Sequence, residues 1–220
     1  MKKSYIYSIA VIVACCSLVA VFFGGTGVAT PDHESEIYEM FEKAIKTAEE
    51  GNEFLKISSN PYDFCNDNPD FDKIVDMGYS ILPQLKGILE PGDKIGLSGY
   101  MVCVAIEKIV DTDLKTFEEF AWGTANGFNR AFDNFVKRMP GMVNGILESD
   151  KDDSVKAEEL KKLGVLAVPY VLEHKKCNAE IIEVMGGMLG NAETVQNKDE
   201  FLNKNKVDLE MIKTFCNSIK

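Results

Sequence analysis

From residue 31 onward, apolar positions recur with the period of an α-helix. Ile37, Met40, Phe41, Ala44, Ile45 and Ala48 follow i, i+3, i+4, i+7 spacing with charges between them, which predicts an amphipathic helix that Gly51 interrupts or ends. Asn60-Pro61 and Asn68-Pro69 each place an N-cap residue type before a Pro at the first helical position. Phe71, Ile74 and Val75 then form an apolar face that stops at Gly78. No segment alternates at period two for long enough to predict a sheet. The fold class expected is all-α.

Within this pattern one stretch occurs twice. Ile74-Val75-Asp76-Met77-Gly78-Tyr79-Ser80-Ile81-Leu82-Pro83-Gln84-Leu85 returns in degraded form as Leu160-Lys161-Lys162-Leu163-Gly164-Val165-Leu166-Ala167-Val168-Pro169-Tyr170-Val171, at a fixed offset of 86 residues. In both copies a helix pattern stops at Gly, and a Pro follows five residues later, where a first helical turn tolerates its missing N–H. Ile81, Leu82, Leu85, Ile88 and Leu89 continue the first copy as a helix, Pro91-Gly92 turns the chain, and Leu97, Met101, Val104, Ala105 and Ile109 supply a second helix. The second copy continues through Val171 and Leu172, turns at Lys175-Lys176-Cys177-Asn178, and returns through Ile181, Ile182, Met185, Met188 and Leu189. Hairpins are therefore expected near 69–110 and 155–189. Between them, near 112–140, Phe117, Phe120, Ala121, Thr124, Phe128, Phe132, Phe135, Val136 and Met139 predict one long helix that Pro140-Gly141 breaks.

These residues carry a resemblance. Gly78-x-x-Ile81-Leu82-Pro83-x-Leu85-x-x-Ile88-Leu89, followed by Met101-x-x-Val104-Ala105-Ile106-x-x-Ile109, resembles a HEAT-type repeat, and so does Leu163-Gly164-x-x-Ala167-Val168-Pro169-x-Val171-Leu172. Such repeats are helix pairs of roughly 40 residues that stack into solenoids. The resemblance covers roughly a third of the chain and implies protein or peptide binding. The aromatic insertion separates the two copies, so an irregular HEAT-like stack of antiparallel hairpins is expected over residues 30–220, not a regular solenoid.

The first segment follows different rules. After Lys2 and Lys3 no charge occurs before Asp32, and Tyr5 to Gly25 is apolar apart from Ser8 and Ser17. That length suffices for an apolar helix across about 30 Å of hydrocarbon. Residues 1–29 read as a signal anchor crossing the membrane through 5–25, or as a signal peptide cleaved after Gly27-Val28-Ala29. The run exceeds the roughly 7–15 residues of a signal-peptide core, which favours the anchor. Either reading keeps the lysines in the cytoplasm and exports the remainder, to the outer face of the membrane of a bacterial envelope or, after cleavage, into the medium.

Charge narrows the partners. The formal net charge is −11 over 220 residues, and Lys2 and Lys3 lie outside the exported part. Nucleic acid is thereby a poor partner. Cys15 and Cys16 fall in the apolar segment. Cys65, Cys103, Cys177 and Cys216 are widely spaced, with no C-x-x-C pair, so thioredoxin or zinc chemistry gains no support, while disulfides are permitted in an exported domain.

Candidate chemistry is sparse. His33 and His174 are the only histidines, and a helix C-terminus or solvent explains them. Asp63, Asn66, Asp67, Asn68, Asp70 and Asp72 crowd one stretch, yet capping accounts for most of them. A calcium loop opening at Asp150 would need Gly at 155 and Glu at 161, where Val155 and Lys161 stand. Ser80 and Ser98 are expected to cap helices. No nucleophile-elbow, phosphate-loop or metalloprotease motif occurs, and an enzyme would have to bring Glu107, Glu118, Glu119 and Glu173 together in one cleft. The expected role is a non-catalytic protein- or peptide-interaction domain, without metal or cofactor, with a small-molecule or metal-binding module as the alternative. Trp122, Phe128 and Tyr170 are the candidate partner-binding residues, because aromatics anchor interfaces. An uncleaved anchor predicts that the mature protein, measured by intact mass spectrometry, retains the full 24.4 kDa; loss of the first 29 residues would mark a signal peptide.

Overall fold

A computed structural model describes residues 31–58, 60–90, 96–190 and 198–219. The anchor or signal segment expected at 1–29 and the Pro91-Gly92 turn lie outside the described residues. Among those described, the structure is all-α, with no strand, and no helix is long and apolar enough to cross a membrane.

Helix α1 (Pro31–Gly51) turns Ile37, Phe41 and Ala44 inward. After 3-10 turns at Glu53–Ile57 and Pro61–Phe64 comes α2 (Pro69–Val75). Asn68 joins these pieces. Its Oδ1 accepts from Asp70 N (3.1 Å) and Phe71 N (3.2 Å), and its Nδ2 donates to Ala44 O (3.0 Å) and Phe64 O (2.8 Å). One buried amide thus caps α2 and ties it to α1 and to the 61–64 turn. Asp70, the next residue but one, is held down to about 2 by Lys73, Thr47 and Lys43, two of them on α1.

The paired motif folds the same way twice. Gly78 has φ +65° and Gly164 has φ +73°, a region that L side chains avoid. Each glycine leads into a 3-10 turn, Gly78–Ile81 or Val165–Ala167, and then into a short helix with its Pro in the first turn, α3 (Leu82–Ile88) or α7 (Val168–Glu173). Helix α4 (Leu97–Val110) completes the first unit. Helix α6 (Asp153–Lys162) opens the second, and α8 (Ala179–Met188) completes it.

Helix α4 is buried on nearly every side from Ser98 through Val110, where Tyr100 is half-buried and Lys108 exposed. It packs against α1, α2, α3, the 61–64 turn and α5 (Ala125–Glu148). The chain closes with α9 (Lys198–Lys204) and α10 (Lys206–Ser218); α10 lies against both 3-10 turns of the paired motif. The two copies meet directly as well. Thr112 Oγ1 donates to Lys162 O (2.8 Å). A Cβ added to Gly164 would stand 2.2 Å from Val110 O and 2.9 Å from Asp111 O.

The insertion departs from expectation. The chain forms 3-10 turns at Leu114–Thr116 and Glu118–Phe120, and α5 begins only after Thr124, whose hydroxyl accepts from Gly127 N at 3.0 Å. The aromatic spacing continues across this break because Phe117 and Phe120 both pack on Phe135, at 5.5 and 5.3 Å between ring centroids. Nor does Pro140 end the helix. It sits exposed inside α5, on the solvent side of the helix, and the helix runs on through it to Glu148. Ser98 and Ser80 are not caps either. Ser98 lies within α4 and its hydroxyl donates to Glu42, while Ser80 donates to Met77 O at 2.9 Å.

The two glycines differ in their surroundings. Nothing stands within 4 Å of a Cβ at Gly78. Gly78→Ala is therefore expected to cost about 1–2 kcal/mol from backbone conformation alone, and Gly164→Ala at least twice as much, because the 110–112 backbone must also move. Urea unfolding of the two variants measures the difference.

Candidate functional site

The side-chain grouping with the most chemistry stands where the 112–124 segment folds back over α4. Glu107, on the inner part of α4, is the one carboxylate among the buried polar residues of the described chain. Its Oε1 accepts from Trp122 Nε1 (2.9 Å) and from Leu114 N (3.0 Å). Burial pushes its pKa up, and these two donors offset only part of that. The pull of one carboxylate on two donors holds the 114–122 segment against the helix.

Above Glu107 the rings gather. Tyr100 lies 4.7 Å from Trp122 between centroids, and Tyr62 lies 6.4 Å from Tyr100, nearly edge-on. The Lys115 ammonium enters this group 4.1 Å from the centre of Trp122, 4.7 Å from Tyr62 and 5.7 Å from Tyr100. It also donates to the Tyr62 hydroxyl. Partial burial lowers the Lys115 pKa, but the hydrogen bond from Lys115 to Tyr62 and the charge of Glu107 outweigh it, and the net shift is upward. A cation over ring faces is favoured electrostatically by about 0.5–2 kcal/mol, depending on exposure. Two clefts open on either side. One, of about 460 Å³, is lined by Ser58, Pro61, Gly96, Leu97, Tyr100 and Gly123. The other, of about 370 Å³, is reached past Tyr62, Glu107 and Asp113.

The structure brings Trp122 and Phe128 together, edge to face at 5.0 Å, and places Tyr170 elsewhere. Trp122 is 7% exposed and Phe128 fully buried, so both spend their surface on the interior, and an interface anchor must be sought among their neighbours. Tyr170 is half-buried on α7 beside Cys216 of α10, and burial raises its hydroxyl to about 12. Tyr62, Tyr100 and Lys115 were not legible as a group. Lys115 and Tyr62 are 53 residues apart, and no local spacing signals their meeting.

The remaining candidates are dispersed. Glu119 pairs with Arg138, and Glu173 with Lys213 at 2.9 Å, so neither joins Glu107. His174 caps the end of α7; its Nε2 faces Glu148 at 3.3 Å and its Nδ1 accepts from Lys176 N. His33 carries no described side-chain environment. Asp63 accepts from Ser58 Oγ (2.6 Å) and Asn60 Nδ2 (2.7 Å), a local turn network. Among the described residues no three His, Cys, Asp or Glu side chains converge to hold a metal. Cys65, Cys103, Cys177 and Cys216 are free thiols. No protein-family model, curated protein or solved structure matches the chain.

The raised Glu107 pKa has a pH consequence. The fold favours the neutral carboxyl, so its contribution is full below the ordinary carboxylate value of about 4.3 and is lost as pH rises through the raised value. Glu107→Gln keeps an acceptor without the charge, and its urea midpoint is expected to vary less with pH than the parent's, which declines as pH rises above the ordinary carboxylate value. Glu107→Leu leaves Trp122 Nε1 and Leu114 N unpaired, at about 1–3 kcal/mol each.

Proposed function

We propose that this chain is a non-catalytic interaction protein: an irregular HEAT-like helical domain, displayed at the outer face of a bacterial cytoplasmic membrane, that docks a protein or peptide segment. The observation that carries the reading is the 3-10 turn at Glu53–Ile57. Leu55 packs on the core and fixes the turn, while Phe54 and Ile57 stand 79% and 84% exposed. An exposed aromatic beside an exposed β-branched residue on an anchored turn is apolar surface that folding does not use. Ser58, next in the chain, lines the cleft floored by Pro61, Leu97 and Tyr100, which extends the same surface into a concavity.

The partner's chemistry follows from the rim. Glu49, Glu50 and Glu53 lie in or just before the turn and Asp63 accepts from Ser58 after it, against Lys46 and Lys56, which pair with Glu50 and Glu53 at 3.8 Å, and the whole chain is acidic. A segment with apolar side chains flanked by lysine or arginine complements it. Support for membrane attachment is the charge-free run between Lys3 and Asp32. Support for HEAT-like stacking is the reuse of one glycine, one 3-10 turn and one Pro-initiated helix in both copies.

The test is titration of the full-length chain with labelled peptides of basic–apolar composition. Binding is expected to weaken with salt. Phe54→Ala and Ile57→Ser are each expected to lower affinity about ten-fold or more, equivalent to 1.4 kcal/mol per decade, with little change in Tm because neither side chain is buried. Unaltered affinity in both variants would remove the turn from the interface.

A further inference from the structure

We propose that the box made by Tyr62, Tyr100 and Trp122 is a binding site for the alkylated ammonium head of an organic cation, and that Lys115 occupies it as an intramolecular stand-in. This goes beyond the docking of a peptide at the exposed turn and shares with it Tyr100 and the cleft that Tyr100 lines.

The geometry is that of a cation site with its cation in place. One ammonium lies over three rings, at 4.1, 4.7 and 5.7 Å from their centres. The Trp122 N–H is directed at the Glu107 carboxylate. A donor committed to an anion sends electron density into its ring, so the face turned toward Lys115 is a better cation acceptor than an indole hydrogen-bonded to water. Glu107 Oε1 stands behind the ring, engaged by both donors. A bare metal ion would need several oxygens to replace its water. An alkylated ammonium is large and weakly hydrated, and ring faces suffice for it.

Lys115 can leave. It sits on a short 3-10 turn whose local bonds run through its backbone and neighbours: Lys115 N donates to Asp113 Oδ1 (2.9 Å) and Thr116 Oγ1 to Asp113 O (2.7 Å). The residue is exposed, so its side chain can swing into water; this gives up its bond to the Tyr62 hydroxyl and uncovers the Trp122 face, and leaves those backbone bonds intact. Two members of the box also line the clefts beside it, Tyr100 with Gly123 in one and Tyr62 with Glu107 in the other, and these clefts offer room for the rest of a ligand. A tethered lysine competes at high effective concentration, so the parent protein binds such a cation weakly and loss of the lysine exposes the site.

Trp122 is the sole tryptophan, so its fluorescence reports on the box alone. The full-length chain in a maltoside detergent, which has no choline head, is titrated with choline and separately with 3,3-dimethylbutan-1-ol, a neutral molecule of the same shape. In Lys115→Ala, choline is expected to give a saturable change with affinity at least ten-fold tighter than in the parent, and the alcohol none at the same concentration. Lys115→Gln, which keeps most of the side chain's bulk, is expected to behave likewise. Adding Tyr62→Leu to either variant abolishes the response. Phosphatidylcholine vesicles form a separate arm: a response to free choline assigns a soluble ligand, and one confined to vesicles assigns a lipid headgroup, either of which supports the site. No saturable change in either lysine variant, or an equal response to the neutral alcohol, overturns it. Phe54 and Ile57 take no part, so failure here leaves the docking surface standing.

Discussion

The arrangement depends on burying α4 from all directions. A helix that is apolar on one stripe needs one neighbour; a helix apolar all round must be enclosed. Met101, Val102, Cys103, Val104, Ala105, Ile106 and Val110 leave α4 with almost no solvent face. The elements packed against it, from α1 through α3 on one side to α5 on the other, form a shell around that single rod. Enclosure also traps Glu107. A carboxylate taken out of water must find donors or lose its charge, and the nearest available are an indole and a backbone amide of the following segment. The box of rings around Lys115 is thus a by-product of satisfying one buried acid.

Around this rod the two copies of the glycine–proline motif do different mechanical work with one local conformation. At Gly78 the left-handed backbone only redirects the chain. At Gly164 it also admits the 110–112 backbone to a distance no side chain permits. Helix α10 then covers both turns and Asn68 fastens the opposite end. The exposed 53–57 turn projects from a frame that is tied at several points, which suits a docking surface better than a loose loop does.

Much of the local structure was legible from residue order. Asn60 and Asn68 are caps because their side chains serve the next amides, and Pro83 and Pro169 open helices because nothing there needs their N–H. Local rules sufficed where the deciding contact is a few residues away. They failed at Phe117 and Phe120, whose spacing imitates a helix although packing on Phe135 is what selects it. They failed at Pro140, where the solvent side of α5 tolerates the missing donor, and at Ser98, which serves Glu42 on another helix. The box was least legible, since Tyr62, Tyr100, and the pair Lys115 and Trp122 come from three separate stretches joined only by tertiary packing.

The free thiols have a consequence of their own. Cys65, Cys103 and Cys216 are buried, and burial lifts the Cys65 thiol to about 12 and raises Cys103 as well. Thiols held that far from their reactive thiolate form neither exchange readily nor oxidise readily. The architecture needs no covalent crosslink to close it. Among the described residues no crosslink has to form for these contacts to close, so folding of this part of the chain asks nothing of an oxidant or an isomerase.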